Sequence, residues 1–233
     1  MTDEVQKRFA ATAAAMAEHQ DRRITSTRER LERLIGFTGE ERALDVGTGA
    51  GEIAIAIAPL VARVVALDIV PELLQEARKR IPDNVELVEG DATALPFGPG
   101  EFDLVCSART FHHVARPELV LAEMNRVLRP GGTMLVVDQL APVDPLAAIE
   151  LNRFERARDP STSRVLADVD LSGLFDSNGL VLRRKEVVEQ PRELHSYLDL
   201  AGCEGAAREQ AVALAPAEGV GHYGWYVLRK PGV

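Results

Sequence analysis

The sequence predicts an α/β fold in which helices cover a mostly parallel sheet. Short apolar segments alternate with helical patterns along the chain, and this alternation favours parallel strands joined by right-handed crossovers. The chain has 233 residues, 46% of them hydrophobic, and single α/β domains often have this length. A glycine-rich turn also follows the first apolar segment, where a helix is expected to begin. We therefore expect one domain that spans residues 1–233.

Seven apolar segments are predicted to form strands, and they comprise residues 42–46, 63–68, 84–88, 102–106, 132–138, 180–188 and 222–228. Helices are expected near residues 51–60, 71–81, 116–128 and 164–178, with no more than a turn at 93–95. Gly131-Gly132 marks a turn into the fifth strand, and Asn178-Gly179 ends the helix before the sixth.

Some helical segments have no strand to connect. They are residues 3–36 and 143–160, with a third candidate at 191–216. Open α/β sheets bind ligands at the carboxyl ends of their strands, and water must be kept out of that crevice. We expect residues 3–36 and 143–160 to form a lid there. The domain then divides into an N-terminal helical lid (1–40), a ligand-binding core (41–138), a helical insert (139–163) and the C-terminal part of the sheet (164–233).

The glycine-rich turn predicts a ligand site. Glycine allows positive φ and a close approach of the backbone to a bulky ligand. Glu52 stands where a dinucleotide-binding fingerprint that starts at Gly47 needs its last glycine, so that fingerprint fails. A carboxylate at the end of the strand would repel a pyrophosphate, but it can accept hydrogen bonds from a cationic group. A nucleoside with a positive charge is the predicted ligand of the segment Asp45-Val46-Gly47-Thr48-Gly49-Ala50-Gly51.

This turn resembles the first motif of the class I S-adenosylmethionine-dependent methyltransferases, acidic-x-Gly-x-Gly-x-Gly. The segment 64–68 extends the match, because it ends in an acid 23 positions after Asp45 (68 − 45). Residues 90–97 resemble the family segment after the third strand, and residues 102–107 and 126–138 resemble its fourth strand and the turn into its fifth. The resemblance implies a Rossmann-like three-layer sandwich with seven strands, the last antiparallel. It also implies S-adenosyl-L-methionine as the cofactor, bound by the core at 41–138.

The resemblance assigns roles to individual residues. Asp68 would bind both ribose hydroxyls, and Asp91 would accept a hydrogen bond from the adenine amino group. Asp91 also suits a helix N-cap, and the two roles are compatible. An ordinary strand-to-helix turn would also contain glycines, but two acidic strand ends at this spacing favour the cofactor. The candidate cofactor-binding residues are Asp45, Gly47, Thr48, Gly49, Gly51, Asp68, Ile69, Gly90, Asp91, Ala92 and Ser107.

A finer resemblance links the chain to the branch that includes ubiquinone and menaquinone biosynthesis methyltransferases. Residues 107–114, 137–145 and 158–164 carry it, although Thr162 stands where members of the branch often have histidine. His112 and His113 are the candidate catalytic residues, because they follow the fourth strand, where the active site of the family faces the methyl acceptor. At least one could act as a general base, or both could orient the loop.

Two other residues near the same strand end have alternative interpretations. Arg109 could hold an acidic acceptor, or it could pair with Asp138 or Asp144 and shape the loop. Cys106 is expected to be a small buried hydrophobic residue. The histidine pair has no ligand spacing for a metal, so we expect no metal site.

The predicted function is transfer of a methyl group from S-adenosylmethionine to a small, ring-containing metabolite, with O- or C-methylation favoured. The alternatives are a non-catalytic module that binds S-adenosylmethionine for regulation and, less favoured, a nicotinamide-dependent dehydrogenase. A general base is needed only if the acceptor is a hydroxyl or an acidic carbon. The acceptor and the oligomeric state do not follow from the sequence.

Charge and cysteine content exclude other classes. The net charge of −9 disfavours a surface that follows phosphates, so we expect no nucleic-acid partner. Two isolated cysteines and the lack of a secretory segment favour a cytoplasmic location. The longest apolar segments are too short to span a membrane.

Overall fold

The computed structural model describes residues 2–217 and 219–232, and within them seven strands form one sheet. The strands are β1 Arg42–Val46, β2 Arg63–Asp68, β3 Val85–Glu89, β4 Phe102–Ala108, β5 Leu128–Gln139, β6 Val181–Pro191 and β7 Val220–Arg229. The helices are α1 Thr2–Asp21, α2 Ile24–Leu34, α3 Glu52–Ile57, α4 Pro71–Arg78, α5 Pro117–Val127, α6 Pro145–Arg158, α7 Asp168–Ser177, α8 Leu194–Leu200 and α9 Gly205–Leu214. Short 3-10 turns occur at Ala58–Leu60 and Phe111–His113.

The strands lie in the order β3-β2-β1-β4-β5-β7-β6. Strands β1 to β5 are parallel, and β7 pairs antiparallel with both β5 and β6. The prediction of a mostly parallel seven-stranded sheet with an antiparallel last strand is therefore confirmed. The strand order reverses between β1 and β4, and such a switch point leaves a crevice at the carboxyl ends of the two strands.

Helices bury both faces of the sheet, which makes the three layers that the sequence predicted. Alternate side chains of β1 point to opposite faces, as the period of a strand requires. Leu44 and Val46 belong to the hydrophobic cluster that contains residues of α5 and α7, whereas Ala43 belongs to the cluster that contains residues of α2 and α3. None of the helices in the described part of the chain has the length and apolar character needed to cross a bilayer.

Two element boundaries differ from the sequence prediction. Strand β5 begins at Leu128, four residues before the expected start, because Gly131 and Gly132 continue the pairing of this strand with the end of β7 through Lys230. Gly131 reaches φ +71° there, so the two glycines form an irregularity within the strand. The helix expected at 164–178 begins at Asp168, since the segment before it is extended and pairs with Ala141.

The segment 3–36 forms two helices with different positions. Helix α1 lies across the carboxyl ends of the strands, because Gln6 Nε2 donates to the carbonyl oxygen of Ile69 at 2.8 Å and Gln20 Oε1 accepts from the nitrogen of Ala50 at 3.0 Å. Helix α2 packs on α3, where Thr27 Oγ1 donates to Glu52 Oε1 at 2.8 Å. The lid expected over residues 3–36 therefore needs correction, because α2 covers a face of the sheet.

Candidate active site

A cavity of about 810 Å³ lies at the carboxyl ends of the strands, beneath α1. Its size suits a nucleoside cofactor together with a small molecule. The segment 143–160 contributes Arg158 and Asp159 to the wall, while residues 190–193 and part of α8 supply the far side. The third candidate segment, 191–216, thus covers more of the cavity than α6 does.

The glycine-rich turn is held against the end of β2. The backbone nitrogens of Gly47 and Thr48 donate to the carbonyl oxygen of Leu67 at 2.8 and 2.9 Å. Gly47 has φ +71°, and a Cβ there would lie 2.3 Å from Thr110 Oγ1. A side chain at position 47 would therefore be both strained and in collision, which explains the glycine.

Asp45, the second-last residue of β1, has a buried carboxylate of which only one oxygen has hydrogen-bond partners. Its Oδ2 accepts from Thr48 Oγ1 at 2.6 Å and from the nitrogen of Ala54 at 3.1 Å. Its Oδ1 is buried and has no hydrogen-bond partner. Burial raises the pKa of Asp45 to about 7, against the opposing effect of these two donors. An oxygen of this kind fits a cationic group.

Asp68 ends β2 and is buried as well. Its Oδ2 accepts from the nitrogen of Gly49 at 2.7 Å, and its Oδ1 accepts from the nitrogen of Val70 at 3.0 Å. Burial raises the pKa of Asp68, although these backbone donors oppose the effect. Each carboxylate oxygen has further lone pairs, so Asp68 orders the turn and can still accept from a ligand.

Asp91 lies at the exposed rim of the cavity. Its Oδ1 accepts from the nitrogen and the hydroxyl of Thr93 at 2.8 and 2.7 Å. The nitrogen of Ala94 donates to its carbonyl oxygen, so residues 91–94 form a turn. The capping role predicted for Asp91 applies to this turn, since no helix follows it.

His112 is oriented by Asp138, the second-last residue of β5. His112 Nδ1 lies 2.5 Å from Asp138 Oδ1, and the backbone nitrogen of His112 donates to Asp138 Oδ2 at 3.2 Å. Burial alone would lower the pKa of His112, but the Asp138 carboxylate raises it above its ordinary value. The contact to Asp138 places the proton on Nδ1 and leaves Nε2 as a hydrogen-bond acceptor.

His113 has a different environment. Its Nδ1 lies 3.0 Å from Ser161 Oγ, which donates to Asp159 Oδ1 at 2.5 Å. The ring packs edge-on against Phe9 of α1. Burial and the neighbouring His112 lower the pKa of His113 well below its ordinary value, so this ring stays neutral.

A buried polar cluster forms the wall opposite the glycine-rich turn, and the sequence did not predict it. Glu155 is its centre, and burial would raise the pKa of this carboxyl, but Arg158 and Arg192 lower it below the ordinary value. Its carboxylate accepts hydrogen bonds from Gln139 at 2.6 Å, Arg192 at 2.9 Å, Arg158 at 3.0 Å and Tyr197 at 3.0 Å. Arg192 also donates to the Tyr223 hydroxyl at 2.8 Å, which extends this network along the wall.

The structure gathers eleven of the thirteen predicted site residues around the cavity. Gly51 and Ser107 do not line it. Gly51 starts α3 with φ +97°, and Ser107 is fully buried and donates from Oγ to the carbonyl oxygen of Val46 at 2.9 Å. The residues that line the wall are Asp45, Gly47, Thr48, Gly49, Asp68, Ile69, Gly90, Asp91, Ala92, His112 and His113.

Arg109 pairs with neither of the carboxylates considered from the sequence. Asp138 contacts His112, and Asp144 caps α6 by accepting from the nitrogen of Ala147. Arg109 instead donates from Nη2 to Gln190 Oε1 at 3.1 Å. Cys106 is fully buried, and burial raises the pKa of its thiol well above the ordinary value, in agreement with an inert side chain.

A glycine-rich turn between two acidic strand ends, set at the switch point of this strand order, belongs to the class of S-adenosylmethionine-dependent methyltransferases with a Rossmann-like fold. Within that class the chain is a member of the methyltransferase domain family, which matches residues 44–136. Its cofactor is S-adenosyl-L-methionine. The predictions of fold, family, cofactor and enzyme class are thereby confirmed.

Similar proteins agree with this placement. The demethylmenaquinone methyltransferase of Clavibacter sepedonicus is 32% identical over 171 residues, which cover 72% of this chain and 68% of that protein. YcgJ of Bacillus subtilis (strain 168), named an uncharacterized methyltransferase, is 29% identical over 177 residues, which cover 74% of this chain and 70% of that protein. The crystal structure of a protein from Bacillus halodurans matches with a TM-score of 0.83 at 28% identity, and the match covers 88% of this chain and 99% of that one.

Proposed function

We propose that the protein methylates an oxygen or carbon atom of a small, ring-containing metabolite. The observation that supports this most is the division of the cavity into two ends. Acidic strand ends and the glycine-rich turn lie over β1, β2 and β3, whereas His112, His113 and the Glu155 cluster lie over β4, β5, β7 and β6. A donor and an acceptor can therefore be held side by side.

The acidic end suits the cofactor. When bound, S-adenosylmethionine supplies a methyl group on a positively charged sulfur, and the charge disappears as the methyl leaves. Asp45 Oδ1, buried without a partner, would accept from the cationic amino group of the cofactor. Asp68 would accept from the ribose hydroxyls while it holds Gly49, and Asp91 would accept from the adenine amino group with the oxygen that its turn does not use.

The residues proposed to hold the cofactor include several that act through the backbone. Positive φ at Gly47 and Gly49 lets the chain approach a ligand closely. Gly51 and Ser107, which lie outside the wall, would act by fixing the start of α3 and the junction between β4 and β1. Thr48, Ile69, Gly90 and Ala92 complete the proposed set.

At the other end, His112 is the group best suited to accept a proton. Asp138 fixes its ring so that Nε2 is free to take a proton from a hydroxyl or an acidic carbon. The neighbouring carboxylate also stabilises the imidazolium that would form. His113, held neutral by burial, would orient the acceptor or share this role.

A small molecule fits the cavity better than a nucleic acid does. Helix α1 covers the strand ends, so an acceptor has to enter a space of about 810 Å³. The net charge of −9 also disfavours a surface that follows phosphates. The name of the relative from Clavibacter sepedonicus makes quinone precursors the first acceptors to test. The cytoplasmic location stays a prediction.

The test is a screen of phenols and quinone precursors with methyl-labelled S-adenosylmethionine. We expect label in at least one ring-containing acceptor and one site for S-adenosylhomocysteine per chain. His112→Gln should lower the turnover of that acceptor by about 10²-fold or more without loss of cofactor binding. The matched control is His222→Gln, a half-buried histidine of β7 outside the cavity wall. Binding of the cofactor product without label in any small molecule would contradict the proposal.

A further inference from the structure

The arginines around the cavity are paired with carboxylates, with one exception. Seven arginines line the wall. Six of them form ion pairs: Arg8 with Asp159, Arg22 with Glu18, Arg23 with Glu52, Arg116 with Glu118, Arg158 with Glu155, and Arg192 with Glu155. Arg109 makes no ion pair with any residue that the structure describes, which leaves its charge without a counterion.

The Arg109 side chain is held in a fixed position. Its guanidinium carbon lies 4.5 Å from the centre of the Tyr223 ring, and Nη2 donates to Gln190 Oε1 at 3.1 Å. Its Nε is buried and has no partner. An amide oxygen and an aromatic face orient a guanidinium, but neither neutralises it.

The backbone of Arg109 is also unusual. Its φ is +59°, a value that no other described residue except glycine adopts. This conformation is strained for a residue with a Cβ. Strain of this kind persists where the surrounding structure fixes it, and it is common at functional sites. Here the nitrogen of Arg109 donates to the carbonyl oxygen of Val137 at 2.7 Å, which fixes the residue at the end of β4, beside the switch point.

The carboxylates near the acceptor end already have partners other than Arg109. Asp159 pairs with Arg8, Asp138 contacts His112, Glu155 pairs with Arg158 and Arg192, and Asp199 pairs with Arg208. Glu193, which also lines the cavity, accepts from the backbone nitrogens of His195 and Ser196. The acids Asp45 and Asp68, which suit a cation, lie at the opposite end of the cavity. The Arg109 guanidinium is therefore the group at this end that suits an anion.

We propose that the methyl acceptor carries a carboxylate group and that this group binds the Arg109 guanidinium; this rests on the proposed function. A guanidinium matches a carboxylate in shape and can donate two parallel hydrogen bonds to it. A single guanidinium without an ion pair suits a monoanion better than a doubly charged phosphate ester. Arg158 and Arg192 already donate to Glu155, so Arg109 is the arginine whose charge remains for the acceptor.

The experiment uses simple probes in place of the unidentified acceptor. Benzoate, the neutral benzamide and phenyl phosphate are titrated into the protein saturated with S-adenosylhomocysteine, and binding is followed by ligand-observed NMR. We expect benzoate to bind at millimolar concentration and more tightly than either of the other two. Arg109→Gln should weaken benzoate binding about tenfold, and Arg109→Lys should weaken it less, since the charge stays but the paired donors are lost.

Arg116→Gln is the matched control, because Arg116 lines the rim and is exposed in its pair with Glu118. It should leave benzoate binding unchanged. Glutamine at position 109 meets the same φ requirement as arginine, and thermal unfolding with unchanged affinity for S-adenosylhomocysteine will show that each variant is folded.

Benzamide binding as tightly as benzoate, benzoate that fails to bind, or an unchanged affinity in Arg109→Gln would overturn the inference while the proposed function stands. Tighter binding of phenyl phosphate would overturn the assignment of a carboxylate. Failure of the wild-type protein to bind S-adenosylhomocysteine would instead contradict the proposed function, whatever the probes do.

Discussion

Arg8 Nη2 lies 2.7 Å from Asp159 Oδ2, and both side chains are almost completely buried. The pair joins α1 to the residue that follows α6, across one end of the cavity. Burial would raise the pKa of Asp159, but the Arg8 guanidinium, together with Arg158, holds it below the ordinary value. This ion pair therefore holds α1, which covers the cavity, at a point where water has little access.

Arg8→Gln should loosen α1, because removal of one partner leaves a buried charge without its main counterion, at a cost of about 3 kcal/mol. We expect faster hydrogen exchange in α1 and faster dissociation of S-adenosylhomocysteine. The matched control is Arg22→Gln, on the same helix but in the exposed pair with Glu18. If the two variants exchange α1 amides at the same rate, the Arg8 pair does not fasten the cover.

Gly49→Ala separates backbone strain from the function of the turn. Gly49 has φ +60° and Gly39 has φ +85°, so alanine at either position should cost about 1–2 kcal/mol of stability. A Cβ at Gly49 would lie 2.9 Å from Gln20 Nε2, whereas one at Gly39 meets nothing within 4 Å. We expect Gly49→Ala alone to weaken binding of S-adenosylhomocysteine, by about tenfold. Calorimetry and chemical denaturation measure both effects, and an equal loss of affinity in Gly39→Ala would refute the distinction.

Gly221→Ala should displace Arg192. A Cβ at position 221 would lie 2.2 Å from Arg192 Nε, so the guanidinium must leave its place between Glu155 and the Tyr223 hydroxyl. The expected loss is about 1–3 kcal/mol, as for a buried hydrogen-bonded group. Gly36→Ala, where the added Cβ meets nothing within 4 Å, is the control.

A double-mutant cycle with Arg192→Ala sharpens this prediction. If Gly221→Ala acts by moving the guanidinium, it should cost much less stability once Arg192 is absent. Full additivity of the two free energies of unfolding would show that the glycine is needed for another reason.

Asp45 should make the stability of the folded protein depend on pH. Burial raises its pKa from 3.8 to about 7, so between these values the folded chain binds more protons at Asp45 than the unfolded chain does. The contribution of Asp45 to stability therefore falls as pH rises through this window and is level above it. Over this window the free energy of unfolding should fall by up to about 4 kcal/mol. Asp45→Asn should remove this slope from denaturation curves.

The same ionisation should favour the cofactor. A cationic amino group pairs with the ionised form of Asp45, so affinity for S-adenosylhomocysteine should rise between about pH 6 and about pH 8. The rise should be absent in Asp45→Asn. An equal rise in wild type and variant would place the amino group elsewhere.

The donor side of the site could be predicted because its residues are close in sequence. Asp45 and the three glycines after it lie on one strand and one turn, and their spacing fixes their geometry. Asp68 follows one crossover later, at an offset that the parallel pairing of β1 with β2 sets. The residue types of the turn and the strand–helix–strand spacing were sufficient to predict this part of the site.

The acceptor side could not be predicted in the same way. Arg8 pairs with Asp159, and Arg192 pairs with Glu155, although the two partners of each pair lie far apart in the chain. A charged residue on a helix has the same sequence pattern whether it faces solvent or a cavity. Arg192 also follows β6, which continues to Pro191, three residues beyond the predicted end. Tertiary packing positions these side chains, and it cannot be predicted from the spacing of residues in the sequence.

The position of β7 has a consequence for incomplete chains. This strand lies between β5 and β6, so it connects β6 to the rest of the sheet. A chain stopped before residue 220 would leave β5 with a free hydrogen-bonding edge and β6 without a neighbour. Unpaired edges of this kind recruit strands from other molecules. Truncated forms of this protein should therefore aggregate through β5, even though they contain the complete cofactor-binding core at residues 41–138.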